Sequence, residues 1–119
     1  MDCRIRSVFS CHLFRFTLYS ATRSWAKEFG KYGVRVIGVA PGILEATGLR
    51  TLAYEEALAY TRGISVDDLR RGYASTKTTP LGRSGKLTEV ADLVVYLASE
   101  RASYIHGVTY NVAGGKTRD

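Results

Sequence analysis

The chain has 119 residues, of which 45% are hydrophobic and 24% are charged, and its net charge is +6. This composition excludes an intrinsically disordered chain, and the length is that of a single domain. The basic residues are scattered and no five consecutive residues share a charge sign, which argues against a nucleic-acid-binding protein.

Cys3 and Cys11 are the two cysteines, and both fall within the first eleven residues. A disulfide between them would close only a short loop, and with His12 they supply too few ligands for a metal site. The sequence also lacks the roughly 18 to 20 consecutive apolar residues that a membrane span requires. We therefore predict a cytoplasmic protein with free thiols, no metal and no membrane segment.

The first predicted element is an amphipathic helix, because apolar residues recur at intervals of three or four positions. These residues are Phe14, Leu18, Ala21, Trp25 and Phe29. Gly30 and Gly33 are candidate stops for this helix, and Lys31 suits the negative end of its dipole.

A strand is predicted next, over Val34–Ala40. The segment is almost continuously apolar and ends at Pro41-Gly42. That pattern is typical of a strand buried on both faces of a parallel sheet. Taken alone, Pro41-Gly42 indicates only a turn that ends the strand.

Residues 44–80 form a polar segment in which helices are predicted. One helix is expected over Leu52–Tyr60, with Gly63 past its end. A capping box of Ser65 and Asp68 predicts a second helix from about Val66. So long a connection between strands fits either a lid over a substrate or a plain surface insertion, and both interpretations stay open.

The last predicted elements are a helix capped by Thr88 and a strand over Val108–Val112 that ends at Gly114-Gly115. The helix is expected to bury Val90, Leu93, Val94, Leu97 and Ala98. A helix, a strand, a run of helices and a strand predict an α/β fold with a crossover between two parallel strands.

Three phrases, in this order, resemble the C-terminal half of short-chain dehydrogenases/reductases. They are Arg35-Val-Ile-Gly-Val-Ala-Pro-Gly-Ile43, then Pro80-Leu-Gly-Arg83 with Glu89-Val-Ala-Asp92, and Gly107-Val-Thr-Tyr-Asn-Val-Ala-Gly-Gly115. Longer strings are most similar to the sorbitol-6-phosphate 2-dehydrogenase branch of that family. They are Pro41-Gly-Ile-Leu-Glu-Ala-Thr-Gly-Leu-Arg-Thr51, Ser99-Glu-Arg-Ala-Ser-Tyr-Ile105 and Gly114-Gly-Lys-Thr-Arg118. The resemblance covers residues 18–119, whereas residues 1–17 match no pattern.

The resemblance implies a doubly wound, Rossmann-like sheet, of which the two strands here would be the last two at one edge. It also implies NAD as the cofactor and a sugar phosphate as the substrate. In such proteins the Pro41-Gly42 turn would close over the nicotinamide ring. The backbone of Ile43 would reach the carboxamide, and Thr47 would contact the pyrophosphate. These four residues are the predicted cofactor-binding residues.

Two parts of the family's machinery are missing: the sequence has no Gly-x-x-x-Gly-x-Gly turn, and it has no Tyr-x-x-x-Lys pair on the helix before the Pro41-Gly42 strand, where the family carries it. A free tyrosine has a pKa near 10, so the family's lysine is needed to stabilise the phenolate. Tyr19 and Arg23 keep the spacing with arginine in place of lysine. An ungapped alignment instead places the pair on Cys11 and Arg15, which cannot perform this chemistry. We therefore predict no catalytic residue.

Three hypotheses follow for the function. The chain is a truncated, inactive relative of the dehydrogenase, a noncatalytic module that docks on full-length dehydrogenase subunits, or half of a split enzyme. The strand over Val34–Ala40 would lack a partner on one side, which predicts self-association or a partner protein. Residues 1–17 are either a product of a shifted reading frame or a divergent N-terminal arm.

Several basic residues could hold a substrate phosphate, because arginine forks match phosphate oxygens. The candidates are Arg50, Arg62, Arg70, Arg71, Lys77, Arg83 and Lys116. The sequence offers no basis for choosing among them.

Overall fold

The computed structural model describes the backbone of residues 3–116 and the side chains of residues 16–116. Within that range the chain forms helices and two short strands in the predicted order. The elements are α1 (Cys3–Phe29), a 3-10 turn (Gly30–Tyr32), β1 (Gly38–Pro41), α2 (Leu52–Arg62), α3 (Val66–Tyr73), α4 (Leu87–Ala98), a second 3-10 turn (Glu100–Ala102) and β2 (Thr109–Val112).

The chain divides into two compact units. The first unit holds the chain up to Val39 together with Tyr96–Tyr110, and the second holds Ala40–Val95 together with the chain from Asn111 onward. The boundary between them falls inside α4 and inside both strands. Each unit is therefore built from two segments that are far apart in sequence.

In the first unit, α1 ends where the glycines predict. The helix runs to Phe29, and the 3-10 turn that follows is closed by Gly33, whose φ is 75° and whose N–H donates to the Gly30 carbonyl at 3.0 Å. A left-handed residue at this point is a common helix stop and favours glycine. The predicted stop is confirmed.

The predicted apolar face of α1 is not buried. Leu18 and Trp25 are 50% and 51% exposed, whereas the small Ala26 is buried together with Leu97 and Ala102. The spacing identified a helix correctly, but no described element covers those larger side chains. The side chain of Phe14, the first member of the predicted face, lies outside the described residues.

Arg35 holds the C-terminal end of α4 in the first unit. Its guanidinium donates to the carbonyls of Leu97 at 2.8 Å, Ala102 at 2.9 Å and Ser99 at 3.3 Å. The last carbonyls of a helix have no partner within the helix, so a cation there satisfies them and suits the helix dipole.

His106 ties together two further segments of that unit. Its Nδ1 accepts the Val36 N–H at 3.0 Å, so Nε2 carries the proton and donates to the Ala26 carbonyl at 2.7 Å. Both bonds together require the imidazole tautomer with its proton on Nε2. Through them His106 links the end of α1 to the residues before β1.

In the second unit, the predicted stop of α2 at Gly63 and the predicted start of α3 at Val66 are confirmed, although α2 runs to Arg62 rather than Tyr60. Thr51 caps α2, and Gly63, with a φ of 66°, follows its last residue. Ser65 caps α3 by accepting the Asp68 N–H at 3.0 Å. These caps satisfy backbone groups that the helices leave unpaired.

The prediction for the start of α4 is wrong. The helix begins at Leu87, so Thr88 lies inside it, and the Glu89 carboxylate accepts the Lys86 N–H at 2.7 Å. A carboxylate is a stronger acceptor than a hydroxyl, which favours this start.

The predicted buried stripe of α4 is also mostly wrong. Leu97 is buried at 6% exposure, Val90 and Leu93 are half-buried, Val94 is 47% exposed and Ala98 is exposed. As on α1, the apolar spacing identified the helix but did not identify which positions are covered.

β1 and β2 form a two-stranded sheet. Gly38 donates to the Val108 carbonyl and Gly42 to the Val112 carbonyl, both at 2.9 Å, so the pairing advances in the same direction along both strands. The strands are therefore parallel, as predicted.

β1 is shorter and more exposed than predicted. It begins at Gly38 rather than Val34, and Val34 itself is 51% exposed. The predicted burial on both faces is wrong for the described residues, since Gly38, Val39 and Ala40 are only partly buried and Pro41 is exposed.

Candidate functional site

The candidate site begins at the turn after β1, at the end of the sheet where ligands bind parallel α/β folds. Gly42 lies close to β2: a Cβ on this residue would be 2.6 Å from the Ala113 Cβ and 2.7 Å from its Cα. Its N–H donates to the Val112 carbonyl at 2.9 Å. Glycine is required here because the two backbones approach so closely.

Ile43 is held by backbone hydrogen bonds just beyond the turn. Its carbonyl accepts the Gly85 N–H at 2.9 Å, and the Glu45 N–H donates to the Gly85 carbonyl at 3.0 Å. The Ile43 N–H has no acceptor among residues 3–116. It is thus a fixed donor that is available to a ligand.

Thr47 closes a small turn in the loop that follows. Its Oγ1 accepts the Arg50 N–H at 3.1 Å, while no described residue accepts the Thr47 O–H. The preceding Ala46 has a φ of 53°, an unusual conformation for a residue other than glycine. Such strained residues concentrate at functional loops.

The four predicted cofactor-binding residues meet in one cavity of about 330 Å³. The cavity is lined by Pro41, Gly42, Ile43, Leu44, Thr47, Leu49, Arg50, Tyr54 and Tyr73. Its free donors from Ile43 and Thr47 and its apolar walls fit a planar carboxamide ring such as nicotinamide. The cofactor roles of these residues remain predictions.

A buried carboxylate stabilises one wall of this cavity. Glu55 is 4% exposed, and its two oxygens accept from Arg50 at 2.8 Å and from Arg70 at 2.7 Å. The Arg50 guanidinium also donates to the Leu44 carbonyl at 3.0 Å and lies 4.6 Å from the centre of the Tyr73 ring. The hydrogen bonds from Arg70 and Arg50 lower the pKa of Glu55.

Sequence reasoning missed this cluster. Arg50 and Arg70 were two of seven basic candidates, and Glu55 carried no motif at all. A glutamate placed one turn after the Thr51 cap, on the face of α2 that also carries buried Ala59, was the available indication.

Arg83 and Glu89 form a second ion pair next to the start of α4. The two guanidinium nitrogens donate to the two carboxylate oxygens at 2.8 Å and 2.6 Å. These bonds, together with the Lys86 N–H, lower the pKa of Glu89 to about 2. The carboxylate therefore stays ionised well below the ordinary glutamate pKa.

Glu89→Gln is expected to lose an acid-sensitive contribution to stability. Because the folded-state pKa lies below the ordinary value of 4.5, the contribution is complete above about pH 4.5 and disappears towards pH 2. Thermal unfolding of both proteins between pH 7 and pH 2 measures it. The melting temperature of the variant should be lower at neutral pH and should meet that of the parent near pH 2.

A difference that persists unchanged at pH 2 would contradict this assignment. Glu28→Gln, an exposed glutamate of α1 whose carboxylate has no ion pair among the described side chains, is the matched control. It should unfold like the parent at every pH.

The candidate catalytic positions give no acid/base pair. Tyr19 and Arg23 lie one helical turn apart on α1 with exposed side chains and no hydrogen bond between them. The side chains of Cys11 and Arg15 lie outside the described residues. Among the residues that the structure describes, no group of three or more metal-binding side chains occurs, and no helix is apolar and long enough to cross a membrane.

Comparison with known proteins gives a family match over most of the chain. A family model described as enoyl-(acyl carrier protein) reductase matches residues 12–117. Sorbitol-6-phosphate 2-dehydrogenase of Klebsiella pneumoniae is 69% identical over 101 residues, which are 85% of this chain and 38% of that protein. The chain thus spans well under half the length of this relative.

Solved structures share the fold. A short-chain dehydrogenase family protein from Francisella tularensis superposes with a TM-score of 0.76 at 29% identity, over 87% of this chain and 41% of that one. L-sorbose reductase from Gluconobacter frateurii, complexed with NADPH and L-sorbose, superposes with a TM-score of 0.74 at 26% identity, over 87% and 38%. The predicted partial, Rossmann-like α/β fold and the resemblance stated from the sequence are confirmed.

Proposed function

We propose the following function for this chain, which belongs to the short-chain dehydrogenase/reductase family. Its residues form the nicotinamide side of the site and the substrate-side helices of an NAD-dependent oxidoreductase acting on a hexitol phosphate. The convergence of Pro41, Gly42, Ile43 and Thr47 on one cavity is the observation that carries this function. The 69% identity to a sorbitol-6-phosphate 2-dehydrogenase supports the substrate class.

The residues of the turn bind and orient. The Ile43 N–H would donate to the carboxamide oxygen of the cofactor and would thereby orient its ring. The Thr47 O–H would donate to a phosphate oxygen of the cofactor, and Gly42 lets the turn lie against the end of β2. The chemistry that NAD supplies when bound is acceptance of a hydride from the carbinol carbon.

On their own, these residues do not carry out the reaction. Proton removal from a carbinol needs a base whose pKa lies near the working pH, and in this family that base is the tyrosine beside a lysine. The helix before β1 carries no such pair, and the sequence has no glycine-rich turn of the kind that receives the pyrophosphate. The isolated 119-residue chain is therefore inactive.

A chimera tests this function. The 101 aligned residues of the Klebsiella enzyme are replaced by those of this chain, and formation of reduced cofactor is followed with sorbitol 6-phosphate and with NAD or NADP. We expect the chimera to oxidise sorbitol 6-phosphate and the isolated chain to show no activity. A folded but inactive chimera would overturn the function.

A noncatalytic docking role is the second candidate. It is favoured by exposed apolar side chains in the first unit, including Trp25 at 51%, Tyr32 at 69% and Val34 at 51%. Such a surface fits a second copy of the chain or a full-length dehydrogenase subunit. Co-purification of a tagged chain with the full-length homologue would support this role, and a stable monomer that captures no homologue would exclude it.

A further inference from the structure

A second cavity in the same unit, called here the basic cavity, has more cations than carboxylates in its lining. Its volume is about 590 Å³, and the lining includes four cationic side chains and two carboxylates. The cations are Arg50, Arg70, Arg83 and Lys86, and the carboxylates are Glu45 and Glu55. Four of the scattered basic residues of the sequence are thus gathered at one place.

Lys86 and Arg70 have donors to spare. The Lys86 ammonium has no ion pair among the described side chains and keeps three N–H donors. Arg70 is 52% exposed and uses Nε and Nη2 on Glu55, which leaves Nη1 without a partner in the described part of the chain. Together they offer an incoming anion the Lys86 ammonium and the Nη1 amino group of Arg70.

Arg50 and Arg83 contribute positive charge to the wall of the basic cavity. The Arg50 side chain is 16% exposed and is held by Glu55 and the Leu44 carbonyl, so it adds a fixed positive charge. Arg83 is half exposed and is engaged by Glu89. Preorganised cations of this kind stabilise an anion without having to move.

The two carboxylates of the lining differ in their effect on an incoming anion. Both oxygens of Glu55 already accept from arginines, so its charge is satisfied within the wall. Glu45 is exposed and forms no ion pair with a described residue, so it is the lining carboxylate that opposes an anion. Removing the charge of Glu45 should therefore strengthen anion binding, an effect opposite in sign to that of removing a cation.

Arg50 is shared by the linings of the two cavities. Arg50 lines the basic cavity and also the cavity at the Pro41-Gly42 turn. A ligand with its phosphate in the basic cavity and its carbinol near the turn would pass beside this residue, with Leu52 as an apolar contact. A hexitol phosphate has a charged end and a reacting carbinol on one carbon chain, which fits this arrangement.

We propose that the basic cavity binds the phosphate group of the substrate, with Lys86 and Arg70 as direct ligands and Arg50 and Arg83 as supporting charges. This assignment rests on the proposed function, since it names the substrate end that the turn does not hold. A phosphate could come instead from the cofactor, and the experiment separates the two sources.

The test is calorimetric titration of the 119-residue chain with inorganic phosphate, sorbitol 6-phosphate, uncharged sorbitol and NAD. We expect sorbitol 6-phosphate to bind more tightly than phosphate, and sorbitol not to bind. Lys86→Gln should weaken both phosphates about tenfold, since a charge-assisted hydrogen bond is lost. Arg70→Gln should do the same, and Glu45→Gln should tighten binding several-fold, by roughly the strength of one nearby charge.

Lys77→Gln is the matched control, because Lys77 is an exposed lysine that does not line the cavity. Its affinity for phosphate should equal that of the parent. Arg70 also contacts Glu55, so circular dichroism checks the fold of each variant. The Lys86 ammonium makes no ion pair within the described residues, and Lys86→Gln therefore decides the matter if Arg70→Gln does not fold.

Three outcomes would overturn the assignment: phosphate binding that Lys86→Gln leaves unchanged, equal binding of sorbitol and sorbitol 6-phosphate, or displacement of phosphate by NAD but not by sorbitol 6-phosphate. The chimera separates this failure from failure of the proposed function. An active chimera whose KM is unaffected by Lys86→Gln would overturn only the phosphate site. An inactive chimera with Lys86-dependent phosphate binding would overturn only the oxidoreductase function.

Discussion

Gly42→Val is expected to destabilise the chain and to disable the turn in front of the cavity. The Cβ of any side chain at residue 42 would lie 2.6 Å from the Ala113 Cβ, and valine adds two methyl groups beyond it. Forced overpacking of this kind costs about 1–3 kcal/mol and moves the backbone. Urea unfolding of the parent and the variant measures the loss, and the chimera carrying the variant should lose activity because Ile43 is displaced.

The smaller change Gly42→Ala tests the same close approach to Ala113, and Gly48→Ala is its control. A Cβ at residue 48 would meet no atom within 4 Å, and this residue lies in the same loop region. It should unfold within about 0.5–1 kcal/mol of the parent, on either side. Equal unfolding of Gly42→Ala and Gly48→Ala would refute the close approach of the turn to β2.

Glu55→Gln is expected to produce the largest loss among substitutions in the walls of the two cavities. The change keeps the shape of the side chain but leaves Arg50 and Arg70 without their shared negative charge, and Arg50 is largely buried. Removing one partner of a buried ion pair costs more than the pair itself contributes. We expect a fall in melting temperature of at least about 5 °C.

The neighbouring Glu56→Gln controls for loss of charge on α2. Glu56 is exposed and forms no ion pair with a described residue, so its melting temperature should match that of the parent. If both variants melt together, the cluster around Glu55 does not stabilise the fold. If only Glu55→Gln melts earlier, proteolysis within residues 44–50 should also accelerate, because Arg50 no longer anchors the Leu44 carbonyl.

Local features of the fold were predictable from the sequence. Ser65 with Asp68, Gly63 and Gly33 each act through backbone groups within a few residues, and the structure places each helix end where they indicate. Such features depend on hydrogen bonds and φ angles that the nearest residues determine.

Burial was not predictable in the same way. The spacing of Leu18 and Trp25 identifies a helix, but exposure depends on whether a distant segment covers them. The same reason explains why β1 is half-buried although its sequence is that of a strand with two covered faces. Likewise, Thr88 does not cap α4 as predicted. The carboxylate of Glu89, which Arg83 holds in place, accepts the Lys86 N–H instead.

The candidate site was half predictable. Pro41, Gly42, Ile43 and Thr47 are contiguous enough that their motif placed them together, and they do line one cavity. The basic cavity could be identified only from the structure, because Arg70 lies in α3 whereas Arg50, Arg83 and Lys86 lie in two separate loops. The contact of Arg70 with Glu55 depends on the packing of α2 against α3, which no local pattern encodes.

The hydrogen bonds from Arg35 to the C-terminal end of α4 also set an order for folding during synthesis. Its partner carbonyls belong to residues 62 to 67 positions later, and the Ala26 carbonyl waits for His106, 80 positions later. At translation speeds of about 5 to 20 residues per second, the Arg35 partners leave the ribosome roughly 3 to 13 seconds after Arg35 does. Throughout that interval the Arg35 guanidinium and the Ala26 carbonyl lack these partners, whereas α2 and α3, close in sequence, can pair as soon as they emerge.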